Sequence, residues 1–382
     1  MNLLLVAVLT ALSAGWITAV TIRAAHRLQL GVDESTGVQK IHTHWVPRLG
    51  GVPIFVAYVT GLLTYAWASG AWTHEIAALI VCVLPAFGIG LLEDVTRRAG
   101  VMVRLVFTMI AAALGWWLLN AQLHRLDIAV VDVWLAGSSL LAFGLTLLAA
   151  AGVAHAINIV DGCNGLASFL SVLALTAIGI IAGQVGDALV MSAALLAAAS
   201  VLGFLVWNFP FGRIFLGDSG AYMLGFLVAE LAILLVFRNP QVSPWCALLV
   251  AVHPVWETLF SIYRRARSGL RTISQPDTRH LHQLLLRQVI EKFDLGLGVR
   301  DRVVKNSLAS TLIVVPNLIC FVLAITFYSN AALLQVFAVV YALAFCLVFR
   351  LLDAKDQSAE ADNAVSAKSR EGVDAESGAA AA

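Results

Sequence analysis

Apolar runs of about 20 residues recur along the whole chain, and short polar segments separate them. Such runs lie at 2–22, 51–69, 75–92, 102–120, 134–156, 166–183, 187–207, 219–237, 242–263, 308–328 and 331–350. A helix of this length crosses the roughly 30 Å hydrocarbon core of a bilayer. Because backbone groups in lipid must be paired within their own segment, helices are favoured over open strands. The pattern therefore predicts an all-α, polytopic membrane protein with about eleven transmembrane helices.

Composition agrees with a membrane location and narrows the range of partners. Of the 382 residues, 60% are hydrophobic and 12% are charged, against roughly 25% charged in soluble domains. The net charge of +1 gives no indication of nucleic-acid binding, and no nucleic acid is predicted as a partner. The five cysteines form no C-x-x-C pair, so neither a disulfide framework nor a zinc site is indicated. The lipid bilayer is the partner that composition predicts.

The distribution of Lys and Arg predicts how the spans are oriented. Of the 24 such residues, all but Arg125 and Arg238 lie in or next to segments that follow odd-numbered spans. Basic residues concentrate on the cytoplasmic side of membrane proteins. We therefore expect the N-terminus outside and the C-terminus in the cytoplasm. No positive charge precedes the first apolar run, and Arg23 and Arg27 follow it, which favours an uncleaved span over a signal peptide.

The chain is predicted to consist of one membrane domain and a tail. The domain covers 1–350 and includes a long cytoplasmic loop at 264–307. The tail, 351–382, is rich in Ala, Ser and acidic residues and contains no aromatic residue, so we expect it to be disordered. Within the loop, the apolar spacing is that of an amphipathic helix lying on the membrane surface. The residues with this spacing are Leu281, Leu284, Leu285, Val289 and Phe293.

Four polar clusters interrupt or end apolar runs on the predicted cytoplasmic side. Ionisable groups at membrane depth are costly and are functional by default. The first cluster is Glu93 and Asp94, two like charges that raise each other's pKa unless a cation compensates; a solvated helix end is the alternative. The second is Asn158-Ile-Val-Asp161-Gly162-Cys-Asn164-Gly165. Capping of the following helix explains one of its polar residues but not three.

The third cluster, Phe215-Leu-Gly217-Asp218-Ser219-Gly220, places Asp218 at a helix N-terminus. There Asp218 is either a simple N-cap or a ligand of Mg²⁺, which prefers carboxylates together with substrate phosphates. The fourth cluster is the basic loop, in which Arg271 precedes His280 and His282. A basic loop is ordinary beside anionic lipid, but histidines among arginines also suit a diphosphate. A smaller segment, from Lys40 to Gly51, is by itself better explained as a basic juxtamembrane cap.

In this order, the motifs resemble those of the polyprenyl-phosphate N-acetylhexosamine-1-phosphate transferases over 1–350. The chain reads KIH…PRLGG, GLLED, NIVDGCNGLAS, FLGDSGAYMLG and PDTRHLHQ. The family shows K-x-H with P-R-x-G-G, then D-D, N-x-x-D-G-x-D/N-G-L, F-x-G-D-x-G-S and H-x-H-H. Three positions depart from it, because Glu93 replaces an aspartate, Gln283 a histidine and Ala221 a serine. The triple-His pattern of the muramyl-pentapeptide branch is missing, so the chain is more similar to the branch that starts O-antigen and related lipopolysaccharide chains.

The resemblance implies roles for the matching residues. Those implied to bind Mg²⁺, with Mn²⁺ as an alternative ion, are Asp218 and Asn158. Those implied to be catalytic, as a base or in orienting the metal or the lipid phosphate, are Glu93, Asp94 and Asp161. Those implied to bind substrate are Lys40, Asn164, Phe215, Arg271, His280 and His282. In the family, the positions of Asn164 and Phe215 contact uracil. The loop that carries the histidines, here called the histidine loop and containing His280 and His282, holds the phosphates.

The implied function is the transfer of a sugar-1-phosphate, GlcNAc-1-phosphate above all, from a UDP-sugar to undecaprenyl phosphate. UMP would leave, and the enzyme would lie in the bacterial inner membrane with its N-terminus in the periplasm. A homodimer is implied by the resemblance alone. On the residues themselves a secondary transporter is an alternative, because it also has many spans and intramembrane acids, although transporters place such charges near the bilayer midplane. A catalytically inactive scaffold is suggested only by Glu93 and Gln283.

Overall fold

Helices form all the regular structure that the computed structural model describes, which covers residues 2–28, 46–70, 74–267, 279–290, 292–293, 296 and 301–380. Side chains are described to residue 358, apart from residue 302. The helices are α1 Leu3–Leu28, α2 Gly51–Ser69, α3 His74–Thr96, α4 Val101–Leu119, α5 Ala129–Gly137, α6 Ser139–Val160, α7 Leu166–Val185, α8 Ala188–Asn208, α9 Gly217–Arg238, α10 Pro244–Val250, α11 Val252–Arg267, α12 Leu281–Leu285, α13 Asp301–Phe327 and α14 Ala331–Ala380. A π-helical turn, Leu286–Ile290, follows α12.

The prediction of a polytopic all-α protein with about eleven spans is confirmed. Ten of the described helices are long and apolar enough to cross a membrane, and the bent pair α10–α11 brings the number to eleven if it counts as one span. The ninth predicted span, 242–263, is this bent pair, with 81° between its two helices. Pro254 lies in the first turn of α11, where a missing N–H costs no helical hydrogen bond. The predicted span 134–156 is likewise divided, because α5 ends at Gly137 and α6 starts at Ser139.

Helix α9 lies at the centre of the bundle. Every residue from Gly217 to Val236 is buried, because α9 packs against α2, α3, α4, α6, α7 and α8. Helices in lipid associate through close packing rather than through release of water, so small residues are favoured where they touch. Ala221 and Ala229 are two such residues on α9. The first turn of α9 is therefore enclosed by the ends of neighbouring helices, and the candidate site is built there.

The described part of the long loop between α11 and α13 packs against α14. Helix α11 continues to Arg267 and α13 starts at Asp301, and the cytoplasmic position of the loop at 264–307 stays a prediction. Leu281 and Leu284, two residues of the predicted amphipathic helix, are buried against α14, and the position of this helix on the membrane surface stays a prediction. A protein surface covers these apolar side chains in place of lipid. Two predicted site residues, Lys40 and Arg271, lie outside the described residues.

Helix α14 continues well beyond the predicted end of the last span. It runs to Ala380, so the tail that was expected to be disordered from residue 351 is helical in this structure. Leu352 and Asp356 are buried, and Asp356 accepts hydrogen bonds from Arg287 at 2.9 Å and Gln288 at 2.6 Å. Ala, Glu and Lys are strong helix formers, and a composition too polar for a core does not oppose a helix. The tail residues Leu352 and Asp356 therefore pack against the rest of the protein, and the disorder predicted for the tail as a whole stays a prediction.

Candidate active site

Asp218 lies in the first turn of α9, as the sequence predicts. Its carboxylate accepts hydrogen bonds from Arg104 Nη1 at 2.5 Å and from Asn158 Nδ2 at 3.1 Å. Arg48 Nη2 lies 3.6 Å from the same group. Asp218 is only 7% exposed, and a buried carboxylate without a partner would cost several kcal/mol. The two arginines supply the compensating charge.

Asp94 fixes the start of α9. Its Oδ1 accepts a hydrogen bond from the backbone N–H of Asp218 at 2.8 Å, and its Oδ2 accepts from the N–H and the hydroxyl of Ser219 at 2.9 and 2.6 Å. The first N–H groups of a helix lack partners within the helix, and a negative charge there is favoured by the helix dipole. The structure thus gives Asp94 a positioning role, and the catalytic role implied by the resemblance stays a prediction.

A short extended pairing brings Arg48 to the site. The N–H of Phe215 donates to the carbonyl of Pro47 at 2.8 Å, and the N–H of Gly50 donates to the carbonyl of Phe215 at 3.0 Å. Gly217 follows with a φ of +74°, and a Cβ there would overlap the carbonyl oxygen of Arg48. Only glycine combines this conformation with so close an approach. The Phe215 ring is half-buried, and its contact with uracil stays a prediction.

Asn158 lies in the last turn of α6 and links that helix to α9. Its amide donates to Asp218, and its Oδ1 accepts a hydrogen bond from the Tyr222 hydroxyl at 3.1 Å. Tyr222 also receives the guanidinium of Arg104, 5.8 Å from its ring centroid, which is the distance of a cation–π contact. The side chains of Asp218, Asn158, Tyr222 and Arg104 therefore form one connected polar network.

Asp161 ends α6 beside this network, and its carboxylate has neither a hydrogen bond nor an ion pair with the described residues. Burial raises the pKa of Asp161 to about 7; the Arg48 charge opposes this shift, and the charges of Asp218 and Asp94 add to it. The three aspartates therefore share one electrostatic neighbourhood. Asp94, Asp161 and Asp218, which the sequence places in three separate motifs, are thus close enough to influence one another's charge.

The histidine loop reaches the same segment. The rings of His280 and His282 are parallel within 3°, with centroids 5.7 Å apart. A Cβ on Gly162 would overlap Nε2 of His282, so the loop touches the backbone next to Asp161. Burial lowers the pKa of His282 to about 4, although Glu257 opposes the shift. At neutral pH His282 can therefore donate a hydrogen bond to a phosphate, but it brings no positive charge.

Two other predicted residues serve structure in this conformation. Glu93 Oε2 accepts a hydrogen bond from the N–H of Ala99 at 2.7 Å, which closes the turn after α3. Asn164 is bound to α13: its N–H donates to Asn306 at 2.6 Å, and its carbonyl accepts from Ser310 at 2.8 Å. These bonds hold the α6–α7 connection in place. The catalytic role of Glu93 and the uracil contact of Asn164 stay predictions.

The oxygen atoms at the site are of the kind that Mg²⁺ binds. No three His, Cys, Asp or Glu side chains of the described part of the chain converge as a metal cage. Mg²⁺ rarely uses such a cage, because one or two carboxylates, substrate phosphates and waters complete its octahedron. Asp161 is a carboxylate without a hydrogen-bond partner in this set, and Asp218 and Asn158 add oxygen donors nearby.

Arg104 and Tyr222 belong to the site although sequence reasoning missed them. The sequence interpretation counted Arg104 only as a charge that sets topology. A cation in the first turn of an apolar span, soon after an acidic pair, was the available signal. Tyr222 follows Asp218 by four residues and therefore lies on the same face of α9.

Comparison with known proteins decides the family. Residues 76–236, from α3 to α9, match the family described as glycosyl transferase family 4. The chain is 30% identical over 275 residues to the probable undecaprenyl-phosphate N-acetylglucosaminyl 1-phosphate transferase of Bacillus subtilis, with 71% of this chain and 73% of the relative covered. The chain belongs to the polyprenyl-phosphate N-acetylglucosamine-1-phosphate transferases.

Other members of this transferase family agree. The decaprenyl-phosphate N-acetylglucosaminephosphotransferase of Mycolicibacterium smegmatis is 27% identical over 312 residues, with 73% of each chain covered. The undecaprenyl-phosphate alpha-N-acetylglucosaminyl 1-phosphate transferase of Escherichia coli is 25% identical over 267 residues, with 68% of this chain and 70% of the relative covered. The resemblance inferred from the motifs is confirmed, and the part that matches the transferase family contains Asp94, Asp161 and Asp218.

Proposed function

We propose that this protein transfers N-acetylglucosamine-1-phosphate from UDP-GlcNAc to undecaprenyl phosphate and releases UMP, as the first membrane step of an O-antigen-like polysaccharide. The proposal rests mainly on one observation: in a chain of this transferase family, Asp218 and Asp161 lie near the positive charges of Arg48 and Arg104. We place the reaction at the cytoplasmic face of the inner membrane, because all but two of the Lys and Arg residues lie on that side of the predicted topology.

The reaction is a phosphoryl transfer between two anions. An oxygen of the lipid phosphate attacks the phosphorus that carries the sugar, a new diphosphate bond forms, and UMP leaves with the former bridging oxygen. A phosphate monoester has its second pKa near ~6, so the attacking oxygen is already largely ionised at neutral pH. The site therefore has to position and stabilise the reactants rather than remove a proton.

The charged side chains suit this task. Arg48 and Arg104 place two positive charges beside Asp218, where they offset repulsion between the two phosphorylated reactants. His282 is neutral and contributes a hydrogen bond. Asp94 holds the start of α9, and with it Asp218, in a fixed place. Fixed donors of this kind need no rearrangement as charge moves to the leaving group.

We propose Mg²⁺ as the metal of this site, with Mn²⁺ as the alternative. Asp218 and Asp161 would hold it through carboxylate oxygens, together with the amide oxygen of Asn158. A divalent ion there supplies charge neutralisation of the diphosphate and of the departing UMP. Support comes from the donor set, since hard oxygen ligands suit Mg²⁺.

The test uses purified protein with UDP-GlcNAc, undecaprenyl phosphate and Mg²⁺, and it scores UMP and the lipid-linked sugar. We expect Asp218→Ala to lower kcat on the order of 1,000-fold or more while the protein stays folded in detergent. Asp187→Asn is the matched control, because Asp187 is also a buried carboxylate bonded to an arginine, Arg238, away from the site. Near-normal turnover by Asp218→Ala would reject the metal role, and no turnover by the wild type would reject the function.

The secondary-transporter interpretation has no specific observation in its favour. Its hallmark is a set of charges near the bilayer midplane within paired repeats. Asp94, Asp161 and Asp218 instead lie at the ends of α3, α6 and α9. Membership of the transferase family favours the enzyme.

A further inference from the structure

Glu257 is a buried carboxylate on α11 that the reaction described above does not use. It is 2% exposed. Its Oε1 accepts two hydrogen bonds from the histidine loop, one from Nδ1 of His280 at 3.0 Å and one from the N–H of Leu281 at 3.1 Å. Burying a carboxylate is costly unless its bonds are well placed. The loop therefore supplies both hydrogen bonds of Glu257 Oε1, and Glu257 in turn holds the loop.

The bond to His280 determines which ring nitrogen carries the proton. A carboxylate can only accept, so Nδ1 of His280 must donate, and Nε2 points away from Glu257. The His280 ring lies parallel to the ring of His282, and His282 contacts Gly162. Glu257 thus fixes the ring of His280, which lies beside the ring of His282. His282 in turn contacts the segment that carries Asp161.

The face of α11 that carries Glu257 is itself held in place by a second contact. His253 lies one helical turn before it, and Nδ1 of His253 forms a 2.6 Å hydrogen bond with the Tyr341 hydroxyl of α14. The face of α11 that carries both residues is therefore fixed against α14. Oε2 of Glu257 has no hydrogen-bond partner among the described residues, so Oε1 carries the whole connection to the loop.

We propose that Glu257 is a positioning residue, whose bond to His280 sets the place of His280 and His282 at the diphosphate of the nucleotide sugar. This inference rests on the proposed transferase function. It assigns to a residue outside the motifs a part in binding UDP-GlcNAc, with no part in binding the lipid. Residues that orient a contact group from behind commonly change affinity or activity by about 10- to 100-fold when they are removed.

The experiment compares Glu257→Ala and Glu257→Gln with the wild type in detergent. For Glu257→Ala we expect the KM for UDP-GlcNAc to rise about tenfold or more, while the KM for undecaprenyl phosphate stays unchanged. Glu257→Gln keeps an acceptor oxygen and the side-chain volume, and it should restore much of the affinity. The matched control is Glu230→Gln on α9, a buried glutamate without hydrogen-bond partners among the described residues, which should leave both KM values unchanged.

A double-mutant cycle separates positioning from general stability. If Glu257 acts through His280, then adding Glu257→Ala to His280→Ala will change the KM for UDP-GlcNAc little further. Should turnover be too slow to measure, equilibrium binding of UDP-GlcNAc without lipid acceptor replaces the KM. A wild-type KM for UDP-GlcNAc in Glu257→Ala, or fully additive effects, would overturn the inference. Failure of the wild type to use UDP-GlcNAc at all would instead overturn the proposed function.

Discussion

At the scale of single residues, the aspartates of the site divide into two kinds. Asp94 accepts three hydrogen bonds from the start of α9, so most of its capacity to accept hydrogen bonds is used within the fold. Asp161 accepts none from the described residues, and its raised pKa shows that the site holds its charge at a cost. A carboxylate that is kept partly buried without a partner is a candidate for binding something from outside the protein.

Because the fold uses Asp94 and not Asp161, the same Asp→Asn substitution should have different effects at the two positions. Asp94→Asn leaves only one good acceptor oxygen for three donors, so we expect a loss of about 1–2 kcal/mol of stability, comparable to the loss of a helix cap, together with lower activity. Asp161→Asn should abolish turnover with an unchanged or higher unfolding temperature. Thermal unfolding in detergent and UMP release measure both quantities. A destabilised Asp161→Asn protein, or a fully stable Asp94→Asn protein, would contradict the assignment.

His282 predicts a pH effect on stability. Its folded pKa of about 4 lies below the ordinary value near 6.5, so at intermediate pH the unfolded chain binds a proton that the folded chain does not. The free energy of unfolding should therefore fall as the pH drops from about 6.5 to about 4, by up to roughly 3 kcal/mol. His282→Gln should lose less thermal stability between about pH 7 and about pH 5, whereas the exposed His26→Gln should behave as the wild type. Equal losses in all three proteins would show that His282 is not responsible.

At the scale of elements, the part of α14 around Asp356 supports the histidine loop. Asp356 receives Arg287 and Gln288 from the π-helical turn, and Leu352 packs in the cluster that buries Leu284. Charge-assisted bonds of this kind are stronger than neutral ones. The segment just after the last predicted span is therefore part of the enzyme's folded structure.

Two truncations test this support. Ending the chain after Arg350 removes Leu352 and Asp356, and we expect at least roughly tenfold weaker binding of UDP-GlcNAc, as for other losses of supporting contacts. Ending it after Ser358 keeps both residues and should leave binding near the wild-type value. Asp356→Ala should reproduce part of the first effect, and Gln357→Ala, an exposed neighbour, serves as its control. Equal binding by the two truncated proteins would contradict a role for this segment.

The sequence predicts elements better than it predicts how they meet. The spans follow from local hydrophobicity, and Asp218 at the start of α9 follows from its Gly-rich surroundings, so both predictions were right. The bend between α10 and α11 was missed, because the apolar residues on both sides were counted as one span although His253 and Pro254 follow the bend directly. The pairings of Asp356 with Arg287 and of Arg104 with Asp218 join distant parts of the chain, and no local pattern encodes such contacts. The packing of Leu281 against α14 is another contact between distant parts of the chain.

At the scale of the whole molecule, the side chains of the site come from most of the chain. Arg48 precedes α2, Asp94 ends α3, Asn158 and Asp161 end α6, and Asp218 starts α9. All of these positions lie at the same end of the bundle, since each is connected to Asp218 by contact or by charge. The orientation of this end in the membrane determines which compartment supplies the nucleotide sugar.

The predicted orientation can be tested with single added cysteines. We expect Gln241→Cys to react with a membrane-impermeant maleimide in intact cells, because it lies next to Arg238 on the predicted outer side. Arg98→Cys should react only after the membrane is opened. Both positions are exposed, and the unsubstituted protein controls for the five native cysteines. The reverse labelling pattern would move the proposed reaction to the outer face.

The contact between Gly162 and His282 has a consequence for genetics. A single methyl group at residue 162 would overlap the His282 ring and push apart two segments that are distant in sequence, the one around Gly162 and the histidine loop. Inactivating alleles should therefore arise at a site with no reactive atom of its own. Second-site revertants of such an allele should map to the remote basic loop, where a smaller or shifted ring would again let the two stretches close.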